Sequence, residues 1–298
     1  MQYTLPVDPT VSFAGKTVVL TGATSGLGFE AAIKLLNLGV ESLIIGSRSL
    51  ERGDATKTEL EKCTTRQGVI QVWELDMNSF QSVKTFADRI QKEIKQLDIA
   101  LLNAGLCNKV YTTSPEGWEE TLQVNALSTS LLALLLLPKL RDSSSDSNPA
   151  HLAVVSSQQF VQVKATSLRT EGSLLEHLND PRHFSGTKQY GISKLLLDPG
   201  LCVSSLGRQY DRFYERWVVW LFYKLFARTA EQGSRSIVSA TYQGAESHGK
   251  CWRSDGYLDE STALTTGTEG KAFQVKAWKE IIGILQEQCP EIRELVGE

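Results

Sequence analysis

TVVLTGATSGLG, residues 17–28, decides how the chain is read. Thr17–Leu20 is apolar and rich in β-branched residues, the composition of a strand buried on both faces. Thr21-Gly22-Ala23-Thr24-Ser25-Gly26-Leu27-Gly28 then forms a glycine-rich turn, and Phe29–Leu38 has helical spacing that ends at Gly39. Glycines let a backbone turn tightly and approach a pyrophosphate closely. The helix N-terminus adds N–H groups and a partial positive charge. A glycine-rich turn alone is weak evidence; its place between a strand and a helix gives it weight.

Outward from this stretch the same alternation continues. Ser42–Gly46, Val69–Leu75, Ile99–Leu102 and His151–Ser156 read as strands; Leu50–Cys63, Ser79–Lys95, Trp118–Leu140 and Tyr190–Leu197 read as helices. That order predicts an α/β fold, a Rossmann-type doubly wound parallel sheet with helices on both faces. The serine-rich loop Arg141–Pro149 joins a helix to a strand inside the domain, so residues 1–298 read as one NAD(P)-binding Rossmann domain. Val161–Gln189 is an insertion of a length that is usually functional.

The apolar fraction of 41% and charged fraction of 22% are those of an ordinary soluble globular protein, and a net charge of −3 gives no reason to expect nucleic acid. Five scattered cysteines without CxxC spacing read as reduced thiols of a cytoplasmic chain. Met1–Lys16 lacks the pattern of a signal peptide, and the longest apolar run, Leu131–Leu137, is too short to span a bilayer. The four histidines have no metal-ligand spacing, so no metal is expected.

The second strand ends in Gly46-Ser47-Arg48-Ser49, with no acid to meet adenosine ribose hydroxyls. A carboxylate would repel the additional phosphate of NADP, whereas Ser47 and Arg48 would accept it, so NADP(H) is expected over NAD(H). The competing reading of Arg48 is a solvated surface charge. Asp76 follows the third strand, where a carboxylate could meet the adenine amino group. Asn103-Ala104-Gly105 follows the fourth, where small residues leave room for the nicotinamide half. Tyr190 and Lys194 are four residues apart, on one face of a helix. An ammonium beside a phenol favours the phenolate, and such a tyrosine can exchange a proton with a carbonyl or alcohol oxygen.

TGxxxGxG at 21, NAG at 103, Asn125 in a helix, Ser156-Ser157 after the fifth strand and YxxxK at 190 together resemble the short-chain dehydrogenase/reductase family along nearly the whole chain. The spacing from serine to tyrosine and the stretch QVNALSTSLLALLLLPKL are similar to the retinol-dehydrogenase-like branch. The C-terminal TTGTEGKAFQVKAWKEIIGIL is similar to fungal secondary-metabolite reductases. The resemblance implies that Tyr190 is the general acid/base and that Lys194 tunes it and binds the nicotinamide ribose. It gives Ser157 the substrate oxygen, with Ser156 as the competing choice, and lets Asn125 position Lys194 through a water. The cofactor site would comprise Thr21, Gly22, Ser25, Gly26, Leu27, Gly28, Ser47, Arg48, Asp76, Asn103, Ala104, Gly105, Tyr190, Lys194, Pro199 and Gly200. Gly249–Trp252 would be the last sheet strand, and a lid would cover residues of about 200–230.

The chain departs from the family after Lys194, where Leu195-Leu196-Leu197-Asp198 leads at once to Pro199-Gly200. Roughly twenty residues of the family pattern, including the usual sixth strand, are missing. Residues 210–226, YDRFYERWVVWLFYKLF, carry three readings: a lid over an apolar substrate, a core helix, or a membrane-surface helix giving peripheral membrane contact. The expected function is NADP(H)-dependent interconversion of a carbonyl and an alcohol on a lipophilic small molecule, with secondary-metabolite biosynthesis as the setting and a homodimer as the family's habit. The alternative is a catalytically impaired nucleotide-binding protein or scaffold subunit.

Overall fold

A computed structural model describes residues 6–8, 10–195, 229–253, 256–257 and 268–296. Five parallel strands form the central sheet: β1 (Thr17–Thr21), β2 (Ser42–Ser47), β3 (Ile70–Glu74), β4 (Ile99–Leu102) and β5 (His151–Val154). Their order is β3-β2-β1-β4-β5, so the chain winds outward from β1 in one direction and then returns to wind in the other. Val19 pairs with Ile44 on one side and with Ala100 on the other. The crevice where winding reverses lies beyond the C-terminal ends of β1 and β4, the place where open α/β sheets bind ligands.

Successive side chains of a strand point to opposite faces. Val18 and Leu20 enter one core with Leu35 and Leu36; Val19 enters the other with Phe80, Phe86 and Leu131. The first core lies under α1 (Gly26–Asn37), α2 (Leu50–Thr64) and α7 (Ala230–Ser239). Thr229 and Gln232 cap α7 reciprocally, holding its entry while Ile237 and Val238 reach the sheet. The second core lies under α3 (Phe80–Glu93) and α4 (Glu120–Ser143). Helix α4 is apolar and long enough to cross a membrane, but 72% of its apolar window is buried in the fold, as for a core helix.

Three details depart from the sequence reading. Helix α1 begins at Gly26 rather than Phe29, because Ser25 takes the extended N-cap conformation. Helix α4 spans Glu120–Ser143 rather than Trp118–Leu140, with Pro138 inside it. Trp252–Arg253 does not join the main sheet: it pairs antiparallel with Gly256–Tyr257, as a separate two-stranded ribbon. Trp252 packs edge-on against Tyr257 within this ribbon and donates its Nε1–H to Ser239 Oγ at the end of α7 at 2.7 Å.

The insertion at 161–189 is folded. It forms short helical turns, then α5 (Leu174–Leu178), and leads into α6 (Gly186–Leu195). Leu168, Leu174, Leu175 and Leu178 enter the second core beside Ala277, Ile281, Ile282 and Leu285 of α8 (Thr268–Gln288); Ile292 of α9 (Ile292–Val296) joins them.

Candidate active site

The glycine turn is shaped by what cannot be there. A Cβ on Gly28 would lie 2.2 Å from the Gly22 carbonyl oxygen, and one on Gly22 would lie 2.9 Å from Ala104 Cα. Gly22 and Gly26 also have φ of +69° and +56°, where other L-residues are strained. Thr21 Oγ1 accepts hydrogen bonds from the backbone N–H of Asn103 (3.0 Å) and Ala104 (2.9 Å); Asn103 Nδ2 donates to the Thr21 and Gly22 carbonyls. The loops after β1 and β4 are thus one rigid unit across the crevice.

That crevice is a cleft of about 350 Å³. Its walls include Thr21, Gly22, Ser25, Leu27 and Gly28 at the first turn, Ser47, Arg48 and Asp76 at the second and third strands, and Asn103, Ala104 and Gly105 at the fourth. Ser156, Ser157, Tyr190 and Lys194 line the same cleft, so nearly all the residues singled out in the sequence converge. Gly26 is not on the wall; its role is the left-handed turn. Asn125 is not on the wall either: it is fully buried behind Gly105. Pro199, Gly200, the lid of about 200–230 and residues 210–226 lie outside the described residues.

Asn125 sits in a π-helical turn, Gln123–Ser128, within α4. Such turns often mark functional sites. Its Oδ1 accepts from Leu106 N at 2.9 Å, and its Nδ2 donates to Leu106 O at 2.8 Å and to Ser193 Oγ at 3.0 Å. A Cβ on Gly105 would lie 3.1 Å from both Asn125 Oδ1 and Lys194 Nζ. Both atoms therefore lie close to one point, and glycine keeps that point free of a side chain.

Lys194 is buried and donates from Nζ to the Val155 carbonyl at 2.8 Å. Burial pulls its pKa down to about 8, since the low-dielectric surroundings disfavour the ammonium. The two serines differ. Ser156 Oγ donates to the Lys194 carbonyl and so fixes the end of α6, whereas Ser157 Oγ accepts from Gln159 N at 3.4 Å as cap of the following turn. Ser47 Oγ donates to Ser49 O at 2.7 Å, holding the turn after β2, and Arg48 is exposed at the cleft edge.

Sequence reasoning missed several wall residues. Arg52, in the first turn of α2, lines the cleft with Arg48; the signal was a second arginine four residues on, hidden in a charged helix. Cys107 and Gln159 also line the cleft. Burial, then the Glu119 charge, push the Cys107 thiol up to about 11, so it stays protonated at neutral pH. Glu120 lines the wall too, holding Asn78 Nδ2 (3.0 Å) and Asn108 Nδ2 (2.8 Å) on its two carboxylate oxygens.

A doubly wound sheet with a glycine-shaped cleft, and a tyrosine–lysine helix beside it, defines a nicotinamide-nucleotide oxidoreductase fold. The family profile described as short chain dehydrogenase matches residues 16–166. A short-chain dehydrogenase/reductase of Phaeosphaeria nodorum, phmF, is 42% identical, the match covering 97% of this chain and 92% of that one. Another from Aspergillus flavipes, ffsI, is 40% identical over 98% and 92% of the two chains. The RhlG/NADP active-site complex of Pseudomonas aeruginosa shares the fold at a TM-score of 0.58 and 22% identity, over 79% of this chain and 94% of that one. The chain belongs to the short-chain dehydrogenase family.

Proposed function

We propose that the protein reduces a carbonyl, or oxidises the corresponding alcohol, on a lipophilic small molecule with NADP(H). The observation that carries this reading is Tyr190 and buried Lys194 opening into the cleft whose floor only glycine fits. The nicotinamide nucleotide supplies or takes the hydride. Tyr190 is the proton donor or acceptor for the substrate oxygen, and Ser157 holds that oxygen by its hydroxyl. Lys194 binds the ribose and keeps Tyr190 tuned, with Asn125 behind it across the space that Gly105 leaves open. Supporting NADP, Arg48 just past β2 and Arg52 in the first turn of α2 both line the cleft, and Gly46–Ser49 carries no carboxylate. The RhlG structure is of a complex with NADP. The fungal relatives are in keeping with a secondary-metabolite substrate.

Titration with NADPH and NADH tests the cofactor. The double change Arg48→Ala, Arg52→Ala is expected to weaken NADPH at least about tenfold, the worth of roughly one charged hydrogen bond, and to leave NADH unchanged. Equal loss for both nucleotides would remove the NADP preference. Tyr190→Phe is expected to abolish turnover with NADPH affinity kept; retained turnover would remove Tyr190 from the reaction.

A second reading, a nucleotide-binding protein with impaired catalysis, has its own observation. The Phaeosphaeria match runs over 313 residues but takes up 97% of this 298-residue chain, about 289, so about two dozen positions of the relative have no counterpart here. That number suits the segment expected after Lys194. Saturable NADPH binding without turnover of any carbonyl would favour this reading.

A further inference from the structure

We infer that Glu119 and Gln189 form a buried latch that positions Tyr190. The inference rests on the reading of Tyr190 as the proton-transfer residue. Gln189 and Ser193 immediately precede Tyr190 and Lys194 and are themselves four residues apart, so they share one face of α6. Each is tied to the beginning of α4. Ser193 Oγ accepts from Asn125 Nδ2 at 3.0 Å, and Gln189 Nε2 donates to Glu119 Oε2 at 3.1 Å. Thus one cross-link sits beside each member of the reactive pair.

Glu119 is 0% exposed and Gln189 4% exposed. A buried carboxylate is costly unless its lone pairs are filled. Here Oε1 accepts from Thr121 Oγ1 at 2.9 Å, while Oε2 accepts from Leu122 N at 3.0 Å as well as from Gln189. The position is the N-cap of α4, where a negative charge meets the positive helix end. Gln189 Nε2 also donates to Leu178 O at 3.0 Å, and Asn179 Oδ1 accepts from Glu119 N at 2.7 Å. The insertion, α4 and α6 therefore converge on the Glu119–Gln189 pair, the insertion through the Glu119 backbone N–H and the Gln189 amide. Neither Glu119 nor Gln189 lines the cleft, so any effect on the reaction passes through Tyr190, and both are positioning residues.

The test uses the whole chain, NADPH and phenanthrenequinone as carbonyl probe. Gln189→Met removes the amide at nearly constant length; Glu119→Gln keeps an acceptor oxygen for Gln189. Misplacement of a reacting group by about 1 Å costs on the order of a hundredfold. In Gln189→Met, kcat is expected to fall about ten- to hundredfold with the NADPH dissociation constant unchanged, and Glu119→Gln to retain most of the activity. Wild-type kcat in a folded Gln189→Met chain would overturn the latch. If the wild type binds NADPH but leaves the probe unreduced, the reductase reading fails, and amide exchange decides the latch. Exchange over residues 186–195 must then quicken at least about tenfold in Gln189→Met, an opening eased by the loss of roughly one hydrogen bond; unchanged exchange would overturn it.

Discussion

The cleft region around β1 and β4 and the insertion with its C-terminal helix are held together by opposite means. Around β1 and β4 the shape depends on missing side chains: Gly22, Gly28 and Gly105 each stand where a Cβ would meet a neighbouring atom within 3.1 Å or less. In the second region the shape depends on polar side chains that reach far along the sequence. The Glu280 carboxylate accepts from Ser173 Oγ, Leu174 N and Leu175 N, and so caps α5 from another helix. Lys276 Nζ donates to Thr170 Oγ1 and Gly172 O. The first region tolerates no addition; the second weakens with each subtraction. A steric rule is local and categorical, whereas a set of hydrogen bonds can be lost one at a time, each at a cost of about 1 kcal/mol or somewhat more.

The largest break in this contrast is Gly28→Ala. Its Cβ has no room beside the Gly22 carbonyl, and the neighbour is backbone, so NADPH affinity is expected to fall about hundredfold or vanish, an overpacking cost of about 3 kcal/mol. Fluorescence titration with NADPH checks it, and an unchanged affinity would mean the turn does not hold the nucleotide.

Lys194 stands at the junction of the two regions. Its folded pKa of about 8 is below the ordinary lysine value of 10.5, so the unfolded chain binds more protons between those limits. Stability should therefore rise as pH rises from about 8 to 10.5, by on the order of 3 kcal/mol for this group alone, and stay flat in this respect below 8. Urea denaturation of the wild type against Lys194→Met measures it: the variant should lack the rise.

Glu280→Ala is expected to lower stability by about 1–3 kcal/mol, since three donors lose their acceptor. NADPH affinity should stay within about twofold, because the staple is in the other region and distant sites are close to additive. A large affinity loss would show that the two regions are coupled more tightly than their construction suggests. The smallest effect is expected for Ser79→Ala, which removes the Ser79 Oγ cap on Ser82 N at 3.3 Å and should cost about 1 kcal/mol without touching the cleft.

What could be read in the sequence follows the same division. The strand–turn–helix start, the parallel alternation and the convergence of Thr21, Asn103, Tyr190 and Lys194 were legible because they depend on periodicity, glycine spacing and ordered motifs. The pairing of Trp252–Arg253 was not: two residues of strand carry no sign of which edge they join, and a nearby hairpin partner won. Arg52 was hidden for another reason, since a charged helix face looks solvated until the cleft beside it is known.

By itself the sequence determined the doubly wound class, the glycine cradle and the placing of Tyr190 and Lys194 on one helix face, because backbone sterics and helical period act over a few residues. Only the tertiary structure decided that Asn125 stands behind the wall, that Ser156 closes on the Lys194 carbonyl, and that Glu119 and Gln189 meet across 70 residues. The physical reason is that a buried polar group must find its partner wherever packing brings one, and that choice is made in space rather than along the chain.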